Sequence, residues 1–200
     1  MNKTFINLFV LTFLSLIFSV NLYSSETDSL NFSYKYLDRK PVNIANIIDN
    51  YKGTVLLFFS PECPICQSQT KTINELFVQY EKDSIAFMLI FPGNYYSKKT
   101  IKRFINEYGI SIPSLIDKDF QLTRKVNATV TPEAILIDNK GNRIYSGLID
   151  NYFEDIGKRR SIITEHYLQD AIDAILQNIQ PKTIRTQPVG CILNLEYNGK

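Results

Sequence analysis

Two hundred residues, 44% of them hydrophobic, suffice for one domain with a full core and not for two. A net charge of +2, from 22 basic and 20 acidic residues, leaves nothing that points to nucleic acid or to an acidic substrate. There is no repeat and no low-complexity stretch.

The chain opens with Lys3, an apolar run from Phe5 to Val20, and small polar residues at Ser24 and Ser25. A basic start, an apolar core and a small-residue end read as a secretory signal over residues 1–24. The run is short for a membrane span. An uncleaved N-terminal anchor is the other reading, and the only route to membrane attachment in the chain. Either way the expected location is exported, periplasmic or otherwise extracytoplasmic, where disulfides persist and exchange. A domain is expected over residues 25–180, beginning in a polar linker at Glu26 to Ser29, and a tail with Cys191 over residues 181–200.

Phe32, Tyr34 and Tyr36 alternate with polar residues as a half-buried strand does. Ile44, Ile47 and Ile48 suggest a short helix. The apolar run Val55 to Phe59 predicts a buried strand, and Ile73, Leu76, Phe77 and Tyr80 predict a helix after it. Ile85 to Phe91 is a second buried strand of parallel type, and Ile101, Phe104, Ile105 and Tyr108 form a second helical face closed by Gly109. A short strand at Ile112–Asp117 and a short helix near Leu122 follow. Ala134 to Asp138 and Arg143 to Gly147 form a hairpin across Asn139–Asn142. Leu168, Ala171, Ile172, Ile175, Leu176 and Ile179 mark the last helix, with Pro181 as its stop. This order predicts an α/β sandwich with a mixed sheet, parallel first and antiparallel at the hairpin.

Cys63-Pro64-Ile65-Cys66 lies between the first buried strand and its helix. Both sulfurs then sit in a first helical turn, where unpaired N–H groups and the positive end of the dipole favour a thiolate. Pro64 fits because the first turn has no use for its missing N–H. Cys63 reads as the exposed nucleophile and Cys66 as the thiol that resolves its mixed disulfide. A zinc site would need four ligands, and only Cys191 and His166 remain, distant and not in paired spacing. An inert structural disulfide would need no strand–turn–helix setting. No cofactor and no metal are expected.

The chain resembles thioredoxin-fold redoxins, in the broad group of alkyl hydroperoxide reductase-like and thiol-specific antioxidant proteins. Cys63 to Cys66, Val130-Thr131-Pro132-Glu133-Ala134 and the hairpin with Asp138 and Gly141 carry the resemblance. More narrowly it is similar to secreted bacterial redoxin-domain proteins, through Thr131 to Ala134, Gly147 to Asp150, the basic run Gly157 to Arg160, and the tail pair Gly190-Cys191. The resemblance spans about residues 30–193, by motif order.

It implies a thioredoxin-like fold and thiol–disulfide exchange with protein thiols or disulfides, recycled by a redox partner. It implies a cis Pro132 beside the cysteine pair, leaving Thr131 main-chain groups for an extended substrate strand. The buried acid of thioredoxins falls near the apolar Leu57, so Glu62 and Glu133 are the candidates for proton transfer. Glu62 would also raise the Cys63 pKa, unless it is a solvated turn residue. A thiol peroxidase is the alternative enzyme. Ser60 fits its hydroxyl position, but Leu56 and Pro132 stand where its proline and arginine would be. A metal-binding chaperone is the third reading, against which the cysteine spacing is one residue short.

Cys191 is an odd thiol. Its neighbours Val189 and Ile192 favour a buried, apolar-like cysteine. The other reading folds the tail back so that Cys191 reaches Cys63 or Cys66 as a third exchange partner. Lys158 to Arg160 reads as a solvated loop, paired by Asp150, Tyr152 or Asp155, and His166 as exposed.

Overall fold

The computed structural model describes residues 30, 33–37 and 41–196. The expected signal segment and Phe32 lie outside them.

Five strands form the central sheet: β3 (Gly53–Phe58), β4 (Ile85–Pro92), β5 (Ser114–Asp117), β7 (Glu133–Asp138) and β8 (Arg143–Gly147), in the order β5-β4-β3-β7-β8. β3 runs parallel to β4 and β4 to β5, while β7 is antiparallel to both β3 and β8. The mixed sheet read from the sequence is therefore present. β3 and β4 are buried along their whole length, which explains why they read as unbroken apolar runs.

Strand side chains alternate between two apolar layers. Val55, Leu57, Phe87, Leu89, Leu136 and Tyr145 face α2 (Pro64–Tyr80), α3 (Lys98–Glu107) and α5 (Tyr167–Leu176). Leu56, Phe58, Met88, Ile90, Ile135 and Ile137 face α1 (Ile44–Asn50) and α4 (Gln121–Lys125). Among the described residues, no helix is long and apolar enough to cross a membrane.

Tyr34 stands in β1 (Ser33–Lys35), which pairs with β2 (Pro41–Asn43). Its hydroxyl donates to Asp117 Oδ1 (3.0 Å) and accepts from the Leu122 N–H (2.9 Å). Thr123 N and Oγ1 donate to Asp117 Oδ2 at 2.7 and 2.6 Å. This buried carboxylate thus joins β1, β5 and α4.

α5 ends at Leu176, one turn short of the apolar pattern. Asn178 adopts a left-handed conformation (φ 59°), and Ile179 is exposed beyond it. The helix stops by this local turn before Pro181 is reached. The chain then runs back over β8. Ser146 N donates to Ile184 O and Thr186 N to Ser146 O. A Cβ on Gly147, whose φ is +134°, would lie 2.5 Å from the Thr186 carbonyl oxygen, so only glycine lets the tail lie there. The tail then forms β11 (Cys191–Ile192), paired antiparallel with β6 (Val130–Thr131).

Candidate active site

Three pieces of chain meet at the carboxyl end of β3, where an α/β sheet presents its chemistry. The first is the β3–α2 turn. Cys63 is the N-cap of α2, Pro64 is in its first turn, and Cys66 lies within that turn, fully buried. The Cys66 sulfur accepts from the Ser60 N–H at 3.4 Å. Gln67 Nε2 donates to Pro61 O (2.8 Å), which ties the helix start to the turn.

The second piece is the Thr131–Pro132 peptide, which is cis. As a thiol, Cys63 donates to the Thr131 carbonyl oxygen at 3.1 Å. Glu133 is buried, and its Oε2 accepts from Thr129 N (2.7 Å) and Val130 N (3.4 Å). Its carboxylate shapes the loop that carries Thr131.

The third piece is the tail, and it corrects the expectation for Cys191. That residue is exposed, not buried among apolar neighbours, and its thiol donates to the Cys63 sulfur at 2.7 Å. Cys63 is the buried one, only 2% exposed, where the sequence suggested an exposed nucleophile. β11 and the turn around it cover the sulfur.

The electrostatics separate the three thiols. The Cys66 thiol, donating to the Cys63 sulfur, is the main reason that Cys63 is pulled down to about 5; burial opposes this, and the Cys191 thiol adds to it. Position at the mouth of α2 acts in the same direction. Burial first, then the bond to Cys63 and the Cys63 charge, push Cys66 well above its ordinary value. Burial and the same two effects push Cys191 up to about 12. One thiolate is thus held between two proton donors. Glu62 is exposed on the turn before Cys63.

Ser60 Oγ donates to the Tyr96 hydroxyl (3.0 Å). Leu56 and Leu57 are both fully buried in β3. The motif Gly147 to Asp150 has a structural role that sequence reading did not assign. Asp150 Oδ1 accepts from Gln69 Nε2 of α2 (2.8 Å) and from Tyr152 N (2.9 Å), linking the cysteine helix to the loop before β9 (Phe153–Asp155). The basic run of β10 (Lys158–Arg159) pairs with Glu154 rather than with Asp150, Tyr152 or Asp155 side chains. Lys158 Nζ and Arg160 Nη2 lie 2.5 and 2.8 Å from its carboxylate. His166 is exposed at the N-cap of α5. Beside Cys191 a groove is lined by Pro64, Ile65, Phe153, Ile156 and Gly190. Among the described residues, no group of three or more His, Cys, Asp or Glu could hold a metal ion. Sequence reading had no signal for Tyr96 or Gln69, which carry no motif.

A cysteine pair at the first turn of a helix, facing a cis proline across the end of a mixed sheet, defines a thioredoxin-like protein. The chain belongs to the AhpC/TSA family, whose pattern matches residues 27–145. It is 25% identical over 130 residues to the thiol-disulfide oxidoreductase ResA of Geobacillus kaustophilus (strain HTA426), covering 65% of this chain and 64% of that protein. It is 23% identical over 121 residues to the protein of that name from Halalkalibacterium halodurans, covering 60% and 66%. The match thus spans a little under two thirds of each relative's length. Among solved structures, a hypothetical protein of Sinorhizobium meliloti 1021 superposes with a TM-score of 0.73 at 18% identity, covering 84% of this chain and 92% of that one. A secreted Mycobacterium tuberculosis disulfide oxidoreductase homologous to E. coli DsbE superposes with a TM-score of 0.55 at 16% identity, covering 76% and 98%. These likenesses are of fold.

Proposed function

We propose that the chain is an exported thiol–disulfide oxidoreductase that exchanges disulfides with protein substrates through Cys63 and Cys66. The observation that carries this is the Cys63 sulfur at the N-cap of α2, with its pKa pulled down to about 5, against the Thr131 main chain. The relatives named thiol-disulfide oxidoreductase support the activity. The apolar N-terminal run supports export, as a cleaved signal or as an uncleaved anchor that would hold the chain to a membrane.

The Cys63 thiolate attacks one sulfur of a partner disulfide. A mixed disulfide forms, and the partner's other sulfur leaves as a thiolate. The negative charge beside Cys66 is then gone, and with it two of the causes that hold its proton. Cys66 deprotonates and attacks Cys63 Sγ. The partner's second thiolate leaves, so the partner gains two electrons and the chain keeps a Cys63–Cys66 disulfide. The reverse sequence oxidises a dithiol. A redox partner restores the starting state. Thr131 offers main-chain pairing to the substrate strand, and Pro132 shapes the groove.

Dithiothreitol-driven insulin reduction tests this. The full chain accelerates it, and Cys63→Ser abolishes the acceleration. Retained activity in Cys63→Ser overturns the assignment. Turnover of hydrogen peroxide by the reduced protein would favour the peroxidase instead, and stoichiometric retention of copper or zinc the chaperone.

A further inference from the structure

The main-chain edge at Thr131, which the preceding reading gives to a substrate strand, is occupied by the chain's own tail. Cys191 lies opposite Thr131 and Ile192 opposite Val130, in antiparallel register. Strand addition of this kind is a general mode of peptide capture. Leu193 N continues the pairing by donating to Thr129 O (2.9 Å). Tyr95 Oη and Arg124 Nη2 donate to the carbonyls of Asn194 and Leu195, which hold the far end. The approach is close: a Cβ on Gly190 would lie 2.3 Å from the Thr131 carbonyl oxygen. The strand sets the Cys191 sulfur 2.7 Å from that of Cys63. A disulfide is about 2.04 Å long, so the two sulfurs are within about 1 Å of bonding distance.

We propose that Cys191 is a third redox-active thiol, which forms a disulfide with Cys63 inside one chain, and that the tail is a tethered stand-in for the substrate strand. This rests on the reading of Cys63 and Cys66 as the exchanging pair. Beginning from the Cys63–Cys66 disulfide, the Cys191 thiol loses its proton and its thiolate attacks Cys63 Sγ. The Cys63–Cys66 bond breaks and the Cys63–Cys191 bond forms. Cys66 leaves as a thiolate and takes up a proton, so no electrons enter or leave. The exposed Cys191 also gives an outside disulfide a sulfur to meet while Cys63 stays covered. A substrate strand that binds Thr131 directly must displace β11.

The test uses the full chain with Cys66→Ser, oxidised by glutathione disulfide and mapped by peptide mass spectrometry. The dominant product is a monomer with a Cys63–Cys191 disulfide. It forms at least about tenfold faster than in Cys66→Ser/Gly190→Val, where the added side chain cannot pass Thr131, because docking raises the effective concentration of the second thiol. A chain that instead ends glutathionylated at Cys63, or as an intermolecular dimer, with Cys191 still open to alkylation, overturns the proposal. Equal rates with and without Gly190→Val overturn it too. Cys66→Ala serves in the same way should the serine variant fail to fold. The wild-type chain, mapped in parallel, keeps the two readings apart. A Cys63–Cys66 disulfide there, with none to Cys191 in the variants, sinks only this inference. A wild-type chain with no disulfide at Cys63, to Cys66 or to Cys191, sinks the reading beneath it.

Discussion

Replacing Cys191 with alanine removes one of the two thiols that donate to the Cys63 sulfur. A hydrogen bond to a charged group contributes about 1.5–3 kcal/mol, and one pKa unit is about 1.4 kcal/mol. Sulfur is a weaker donor than nitrogen or oxygen, so the lower end applies and the Cys63 pKa rises by about one unit. From about 5 it moves to about 6. At pH ~5 the thiolate fraction falls from about one half to about one tenth, and the alkylation rate of Cys63 falls about fivefold. At pH ~8 both proteins are fully ionised at Cys63 and the ionisation term vanishes. The assay is the pH profile of iodoacetamide labelling, read on the Cys63 peptide by mass spectrometry. Cys66 and Cys191 lie above their ordinary values, so Cys63 alone among the thiols titrates in the acid range. Cys191→Ser retains a donor and stays near the wild-type midpoint. A Cys191→Ala midpoint within about 0.3 units of wild type, or a wild-type midpoint near the ordinary thiol value, refutes the reasoning.

Asp117→Ala leaves the Tyr34 hydroxyl, Thr123 N–H and Thr123 hydroxyl without their buried acceptor. It lowers stability by about 3 kcal/mol in urea unfolding. Asp150→Ala frees Gln69 and Tyr152 N and costs about 1–3 kcal/mol, with increased proteolysis in the loop before β9. Gly147→Ala forces a Cβ against Thr186 at a positive φ. It costs about 1–3 kcal/mol and exposes the tail to protease. The stability of the reduced protein, compared with Cys63→Ala, rises with pH between about 5 and 9. The thiol is ionised in the folded chain and still protonated in the unfolded one across that window, and the gain is lost as pH falls through about 5. A flat difference across that range contradicts the lowered Cys63 pKa.

Much of the sheet was legible because its central strands are buried on both faces and leave unbroken apolar runs, as at Val55 to Phe59 and Ile85 to Phe91. Cys63 and Cys66 announced themselves through spacing and context, and the cis Pro132 through family likeness. The tail did not. Gly190 to Leu193 has no periodicity, and what places it is main-chain pairing of Cys191, Ile192 and Leu193 with Thr131, Val130 and Thr129, invisible to any pattern of side chains. For the same reason the burial of Cys63 was missed, since it depends on what lies over the turn rather than on the turn. The end of α5 was read one turn late because Ile179 fits the apolar stripe, while a left-handed Asn178 ends the helix before it.

The most direct measurement is a redox titration of the Cys191→Ser chain in glutathione buffers, with the thiols of Cys63 and Cys66 mapped at each step. The account predicts that both are lost together, in one two-electron transition that lies within the thioredoxin-fold span of roughly −270 to −120 mV. Two independent one-thiol reactions with glutathione, or thiols that stay reduced throughout, would contradict it.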